Sequence, residues 1–219
     1  EPIPNTILNG SKHTDGLGLA KYIKDNSIVF TYNSVIYIVD SNGNNSKEFW
    51  SKPNVSITGL AYSTKLNMVA VTFIEGKYQQ ILLLNADESE YKVLQVFDRG
   101  ILYPNCISFS EDGSKLYYSY APSGNPFSKP GLESETRIYM IDIESKQSKR
   151  LTADNGKGIK ELSPLECDGK VFFRKEYLEG DIFESVIAFI SNLNNSTERL
   201  SIGDLHIAKV IRAYSASTK

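Results

Sequence analysis

Two cysteines, two methionines, two histidines and one tryptophan are all that this 219-residue chain holds of those types. Cys106 and Cys167 are too few for a disulfide framework or a cysteine-rich zinc site, so both are expected to be plain buried thiols. His13 stands in a polar N-terminal stretch and His206 in the last apolar segment. No His, Cys, Asp and Glu set has metal-ligand spacing. No Gly-x-Ser-x-Gly elbow is present either. The expectation is therefore no catalytic centre, no metal and no cofactor. No run of about 18 apolar residues exists, which excludes a helical membrane span, and no signal-peptide pattern is visible. The chain begins at Glu1 rather than Met, which implies removal of a preceding segment. A formal net charge of −2 leaves no surplus of Lys and Arg to neutralise phosphates, so nucleic acid is not an expected partner.

What the chain does have is 13 Tyr and 10 Phe, residues that suit pleated, half-buried surfaces. It also has an internal repeat. Ile36-Tyr37-Ile38-Val39-Asp40, Ile81-Leu82-Leu83-Leu84-Asn85, Ile138-Tyr139-Met140-Ile141-Asp142 and Ile187-Ala188-Phe189-Ile190-Ser191 are each followed by a polar turn and a short strand. Their first residues are 45, 57 and 49 positions apart, the length of a four-stranded propeller blade. A second hairpin precedes each run. In the third unit Cys106-Ile107-Ser108-Phe109-Ser110 leads into Asp112-Gly113, a dipeptide that supplies the positive φ of a tight turn, and then into residues 115–120. No window holds a capped 3.6-residue period. The expected fold is all-β: a β-propeller of four-stranded antiparallel blades at about 14–50, 55–97, 105–152 and 160–201, with 202–219 as an extra strand. Residues 1–219 then form a single propeller domain, either a closed four-blade ring or, the preferred reading, a piece of a larger propeller.

The third unit carries a familiar wording. Phe109-Ser110-Glu111-Asp112-Gly113-Ser114-Lys115-Leu116-Tyr117, Arg137-Ile138-Tyr139-Met140-Ile141-Asp142 and Lys149-Arg150-Leu151-Thr152 resemble the TolB-type, WD40-like propeller repeat. That repeat has a Ser-Pro-Asp-Gly turn, an Ile-Tyr strand ending in Asp, and a closing Arg-Leu-Thr. Here Glu111 stands in place of the usual Pro. The fourth unit matches in part, through Cys167-Asp168-Gly169 and Glu198-Arg199-Leu200-Ser201, whereas the first two keep only the hydrophobic pattern. The resemblance implies either a protein-interaction module, often of the bacterial envelope, or a gating domain attached to a serine peptidase.

Strand order then decides where function can sit. In a blade of strands A, B, C and D, the B-to-C loops and D-to-A connections share one end. The elaborate segments fall there: 121–136 with Phe127 and Lys129, 177–183 with Tyr177 and Asp181, and 153–160 with Asp154 and Lys157. Long loops on a rigid scaffold collect binding residues. Phe127, Lys129, Tyr177, Asp181, Asp154 and Lys157 are therefore the expected partner-binding set, for a protein or peptide ligand, in a periplasmic or extracellular protein. The alternatives are the propeller domain of a larger serine peptidase or hydrolase, or a propeller lyase or glycosidase using carboxylates near the central channel.

Three look-alike motifs are set aside. Asp40-Ser41-Asn42-Gly43-Asn44 misplaces the glycine of a calcium loop and reads as a hairpin turn. Gly156-Lys157-Gly158 has no helix after it to make a phosphate loop. The Asn-x-Ser/Thr sequons at Asn9, Asn44, Asn54, Asn194 and Asn195 matter only in a protein secreted by a eukaryotic cell.

Overall fold

A computed structural model describes residues 17–23, 27–87, 90–122, 135–153, 158–179, 182–191 and 197–199. Sixteen strands fill it, and the described residues contain no helix. They form four sheets of four strands, each in plain sequential order and antiparallel throughout. The first sheet is β1 (Leu17–Tyr22), β2 (Ser27–Tyr32), β3 (Val35–Asp40) and β4 (Lys47–Ser51). The second is β5 (Val55–Ser63), β6 (Met68–Glu75), β7 (Tyr78–Asn85) and β8 (Tyr91–Phe97). The third is β9 (Ile101–Phe109), β10 (Lys115–Ala121), β11 (Arg137–Asp142) and β12 (Ser148–Arg150). The fourth is β13 (Ile159–Cys167), β14 (Lys170–Glu179), β15 (Ile182–Ser191) and β16 (Thr197–Arg199). This is the blade pattern the repeat demands, with a hairpin at every step.

The chain divides into two compact units, residues 1–98 and 99–219. In the first, Val29, Ile36 and Ile38 of one sheet pack against Leu60, Val69, Val71, Phe73, Leu82 and Leu84 of the next. In the second, Tyr117 and Ile138 pack against Val171, Phe173, Ala188 and Ile190. Each Val, Leu, Ile or Phe side chain among these, taken fully out of water, contributes about 1.5–3 kcal/mol. Strands β6 and β7 are buried on both faces, as their unbroken apolar runs require: Val69, Ala70 and Val71 are all sealed from solvent.

Turn chemistry follows the sequence closely. Asn33 and Ser34 both take positive φ between β2 and β3, and Asp168 and Gly169 do the same between β13 and β14, the mirror-image turns that suit strand twist. Asp40 closes its hairpin by accepting the Asn42 and Asn44 N–H groups at 3.1 and 2.8 Å.

The first strand of every sheet carries an irregularity against the second. In β9 the register jumps across Tyr103-Pro104-Asn105-Cys106, opposite Ser119, with Asn105 at φ 53°. In β13 it jumps across Ser163-Pro164, with Ser163 at φ 55°. A proline has no N–H to give a ladder, and a bulge is where a sheet tolerates one. These two strands consequently begin earlier than the sequence suggests, at Ile101 and Ile159. β9 is tied to the bulge of β13, where the Ser108 hydroxyl donates to the Pro164 carbonyl at 2.6 Å.

Candidate interaction site

Strand direction puts four segments of the second unit at one end: the connections between β10 and β11, between β12 and β13 and between β14 and β15, and residues 99–100 before β9. The base of the two longer connections is a clip. Thr136 forms a parallel bridge with Lys160, its N–H donating to the Ile159 carbonyl at 3.3 Å and its carbonyl accepting from Glu161 N–H at 3.2 Å. Arg137, 2% exposed, reinforces it: Nη1 donates to the Thr136 and Ile159 carbonyls at 3.0 and 3.1 Å, and Nη2 pairs with Glu135 Oε2 at 3.2 Å. One guanidinium thus holds both strand entries, which its fixed fork of donors suits it to do.

A second charge pair lies beside the clip. Lys175 Nζ stands 3.9 Å from Glu161 Oε1, both side chains nearly sealed from solvent, and 5.3 Å from the Tyr177 ring centroid. Lys160 Nζ sits 5.7 Å from the Tyr103 ring. A buried charge is tolerated when paired and hydrogen-bonded. The result is a rigid polar floor beneath the loop end.

The candidate residues fall unevenly on this frame. Phe127, Lys129, Asp154, Lys157 and Asp181 lie outside the described residues. Tyr177 is described, and its surroundings correct the expectation of a loop over 177–183. Tyr177 belongs to β14, half-buried, opposite Ile159 on β13 and Glu184 on β15. The hairpin runs to Glu179 and resumes at Ile182, because Tyr177, Leu178, Ile182 and Phe183 all have high strand propensity. The charged residues of the clip and of the pair beside it, Glu135, Arg137, Glu161 and Lys175, were not among the candidates. Nothing local marks them, since a charged side chain looks the same in sequence whether solvated or buried.

The opposite end of the same unit is built of short turns. Asp112 accepts from Ser110 Oγ at 2.7 Å and from Ser114 N at 2.9 Å, which holds its carboxyl down at about 2. Glu166 spans to the neighbouring sheet, accepting from Glu111 N at 2.9 Å and from the Tyr117 hydroxyl at 3.1 Å. Burial, and then the Glu166 charge, push the Tyr117 phenol well above its ordinary range. Folding also gathers Glu111, Cys167 and Asp168, whose ligand atoms lie within 4.8 Å of one another. Burial raises the Cys167 thiol, with the Asp168 and Glu111 carboxylates adding to it. No spacing in the sequence points to this trio, because Glu111 lies on a different hairpin from the other two. It is the set of described residues that could approach a cation, and both carboxylates are exposed.

No family model and no curated protein matches the chain. Solved structures do. The chain is similar to TolB from Acinetobacter baumannii, at 22% identity over 77% of this chain and 37% of that one, with a TM-score of 0.55. It is similar to an oligogalacturonate lyase from Vibrio parahaemolyticus, at 8% identity over 86% and 54%, with a TM-score of 0.63. It is also similar to dipeptidyl peptidase 4 from Porphyromonas gingivalis, at 13% identity over 88% and 33%, with a TM-score of 0.58. The chain spans well under two thirds of each of these proteins. At such identities the likeness concerns the fold, and the fold they share is the β-propeller. The four sheets are propeller blades. No helix among the described residues is long and apolar enough to cross a membrane.

Proposed function

We propose that the chain is a non-catalytic propeller module of the TolB-like kind, which binds a protein or peptide partner through the loop end of its third and fourth blades. The observation that carries this reading is the Arg137 clip. The two long connections share a base locked by four hydrogen bonds and an ion pair, so partner-facing residues are held on a rigid support rather than on a mobile one. Phe127 is the anchor in this reading, Lys129, Asp154, Lys157 and Asp181 the polar rim, and Tyr177 the buttress beneath them. The blades at 14–50, 55–97, 105–152 and 160–201, with 202–219 as an added strand, belong to one propeller or to part of a larger one. A periplasmic or extracellular location accords with the TolB-type resemblance.

The test is site-specific photo-crosslinking in the cells that make the protein. A photoreactive residue at 127 is expected to give one discrete adduct that excess unlabelled chain competes away. The same residue at Ser114, at the opposite end, is expected to give none. Equal adducts at both positions, or an adduct at 127 that persists unchanged with Lys129→Ala and Asp154→Ala, would count against the reading.

The likeness to a dipeptidyl peptidase of which this chain spans 33% favours a second reading, the propeller domain of a larger hydrolase. A downstream α/β-hydrolase segment in the transcript would support it.

A further inference from the structure

Two hydroxyls buried in the second unit find no hydrogen-bond partner among the described residues. Ser119 Oγ and Thr136 Oγ1 belong to residues with 0% exposure, and neither has a hydrogen-bond partner among the described residues. Buried polar side chains nearly always find a partner, in protein or in ordered water. Two such lapses in adjacent strands call for a common cause.

The register puts both on one side of the third sheet. Ser119 is opposite Ile138, and Thr136 lies two residues before Ile138, hence on the same side of the pleat. That side faces the fourth sheet, because Ile138 packs with Val171 and Phe173. Across the interface Lys175 continues the side of β14 that carries Val171 and Phe173, and Glu161 is its register partner on β13. The Glu161 N–H donates to the Thr136 carbonyl, which fixes this rung of β13 against Thr136. The Lys175–Glu161 separation of 3.9 Å is about 1 Å longer than a direct charge-assisted hydrogen bond. Two hydroxyls and a stretched ion pair therefore meet on facing sides of two packed sheets, just beyond the apolar core.

We infer that this interface holds an internal hydration site, with at least one ordered water bonded to the Ser119 and Thr136 hydroxyls and to the Glu161–Lys175 pair. The chemistry balances. Lys175 only donates, the Glu161 carboxylate only accepts, and each hydroxyl does either. A water accepting from Lys175 or a hydroxyl and donating to Glu161 gets the two to four polar partners that buried waters need. The site lies under the loop end but does not depend on what the loops bind.

Thr136→Val keeps the shape of the side chain and removes the hydroxyl, so its sign discriminates. Deleting a dry, unpaired hydroxyl leaves the melting temperature unchanged or raises it. Deleting a ligand of a bound water lowers it, by about 2–4 °C in a chain of this size. Oxygen-17 relaxation dispersion of the solvent counts the long-lived waters directly. The expected result is a lower Tm for Thr136→Val and at least one long-lived water fewer than in the unmodified chain, with Thr136→Ser retaining both values. An unchanged or raised Tm, or a dispersion amplitude equal to that of the unmodified chain, overturns the inference. If Thr136→Val does not fold, Ser119→Ala is read by the same two measurements with the same expected losses.

Discussion

Gly100 sits at φ +71°, and a Cβ there would lie 2.5 Å from the Ala121 carbonyl oxygen and 2.6 Å from the Tyr120 hydroxyl. The second obstacle is pinned in place, since that hydroxyl donates to the Arg99 carbonyl at 2.8 Å. The first is backbone and has nowhere to go. Gly100→Ala therefore combines a left-handed conformation that alanine resists with a clash against a ladder strand, about 2–4 kcal/mol in all. Chemical denaturation should show a midpoint lowered accordingly with an unchanged slope. Gly76, also at positive φ, has nothing within 4 Å of its missing Cβ, so Gly76→Ala should be clearly milder. A midpoint for Gly100→Ala within error of that for Gly76→Ala would show that the close approach is not felt. At this scale the sequence is least informative. Nothing in the sequence separates Gly100 from Gly76, and nothing in it marks Arg137, Glu161 and Lys175 as buried. Burial of such groups depends on which strand end lies beside which, and that is settled only when sheets pack.

Elements were far more legible, because two-residue alternation and Asn/Asp-Gly turns are local signals. The runs from Ile36, Ile81, Ile138 and Ile187 are β3, β7, β11 and β15, and each hairpin expected before them is present. Two kinds of error remained, both physical. The first strand of the third unit was expected from Cys106, whereas β9 starts at Ile101 and carries Pro104 through a bulge, as β13 does Pro164. The 177–183 segment read as a loop from Glu179, Gly180 and Asp181, whereas strand propensity on both sides carries the hairpin almost to its tip. The Arg-Leu-Thr ending gains a reason here. After β12 ends at Arg150, the Leu151 N–H still donates to the Ile138 carbonyl at 2.8 Å. The Ile138 N–H is then left to the Thr152 side chain, whose Oγ1 accepts it at 3.1 Å inside the core. Thr152 is the side-chain substitute for the rung that a departing strand fails to supply. Thr152→Val keeps the volume but orphans a buried N–H, a loss of about 1–3 kcal/mol. Hydrogen exchange should show the Ile138 amide losing protection selectively in Thr152→Val, while Thr152→Ser restores it. Uniform loss across β11 in Thr152→Val would mean that packing, not the bond, is the main contribution.

For the molecule as a whole, 24 basic residues face 26 acidic ones. The charges that come together in the second unit, Glu135 with Arg137 and Glu161 with Lys175, are opposite in sign and largely spent on each other. In the proposed reading the partner surface is the loop end, whose candidate residues Lys129 and Lys157 are balanced in charge by Asp154 and Asp181. A surface of that kind associates through shape, apolar anchoring and hydrogen bonds, and charge contributes mainly to the encounter rate. Its affinity should respond weakly to ionic strength. Between 50 and 200 mM salt the dissociation constant for the partner captured at position 127 should change by less than about tenfold, and the change should fall mostly on the association rate. A polyanion such as nucleic acid would behave otherwise, since releasing its counterions over the same range weakens binding by about 10³–10⁵-fold. Measuring the two rate constants across a salt series thus discriminates between partner classes even before the partner is named. A steep salt slope would mean that the near-neutral total conceals a concentrated basic surface, and that the loop end recognises charge rather than shape.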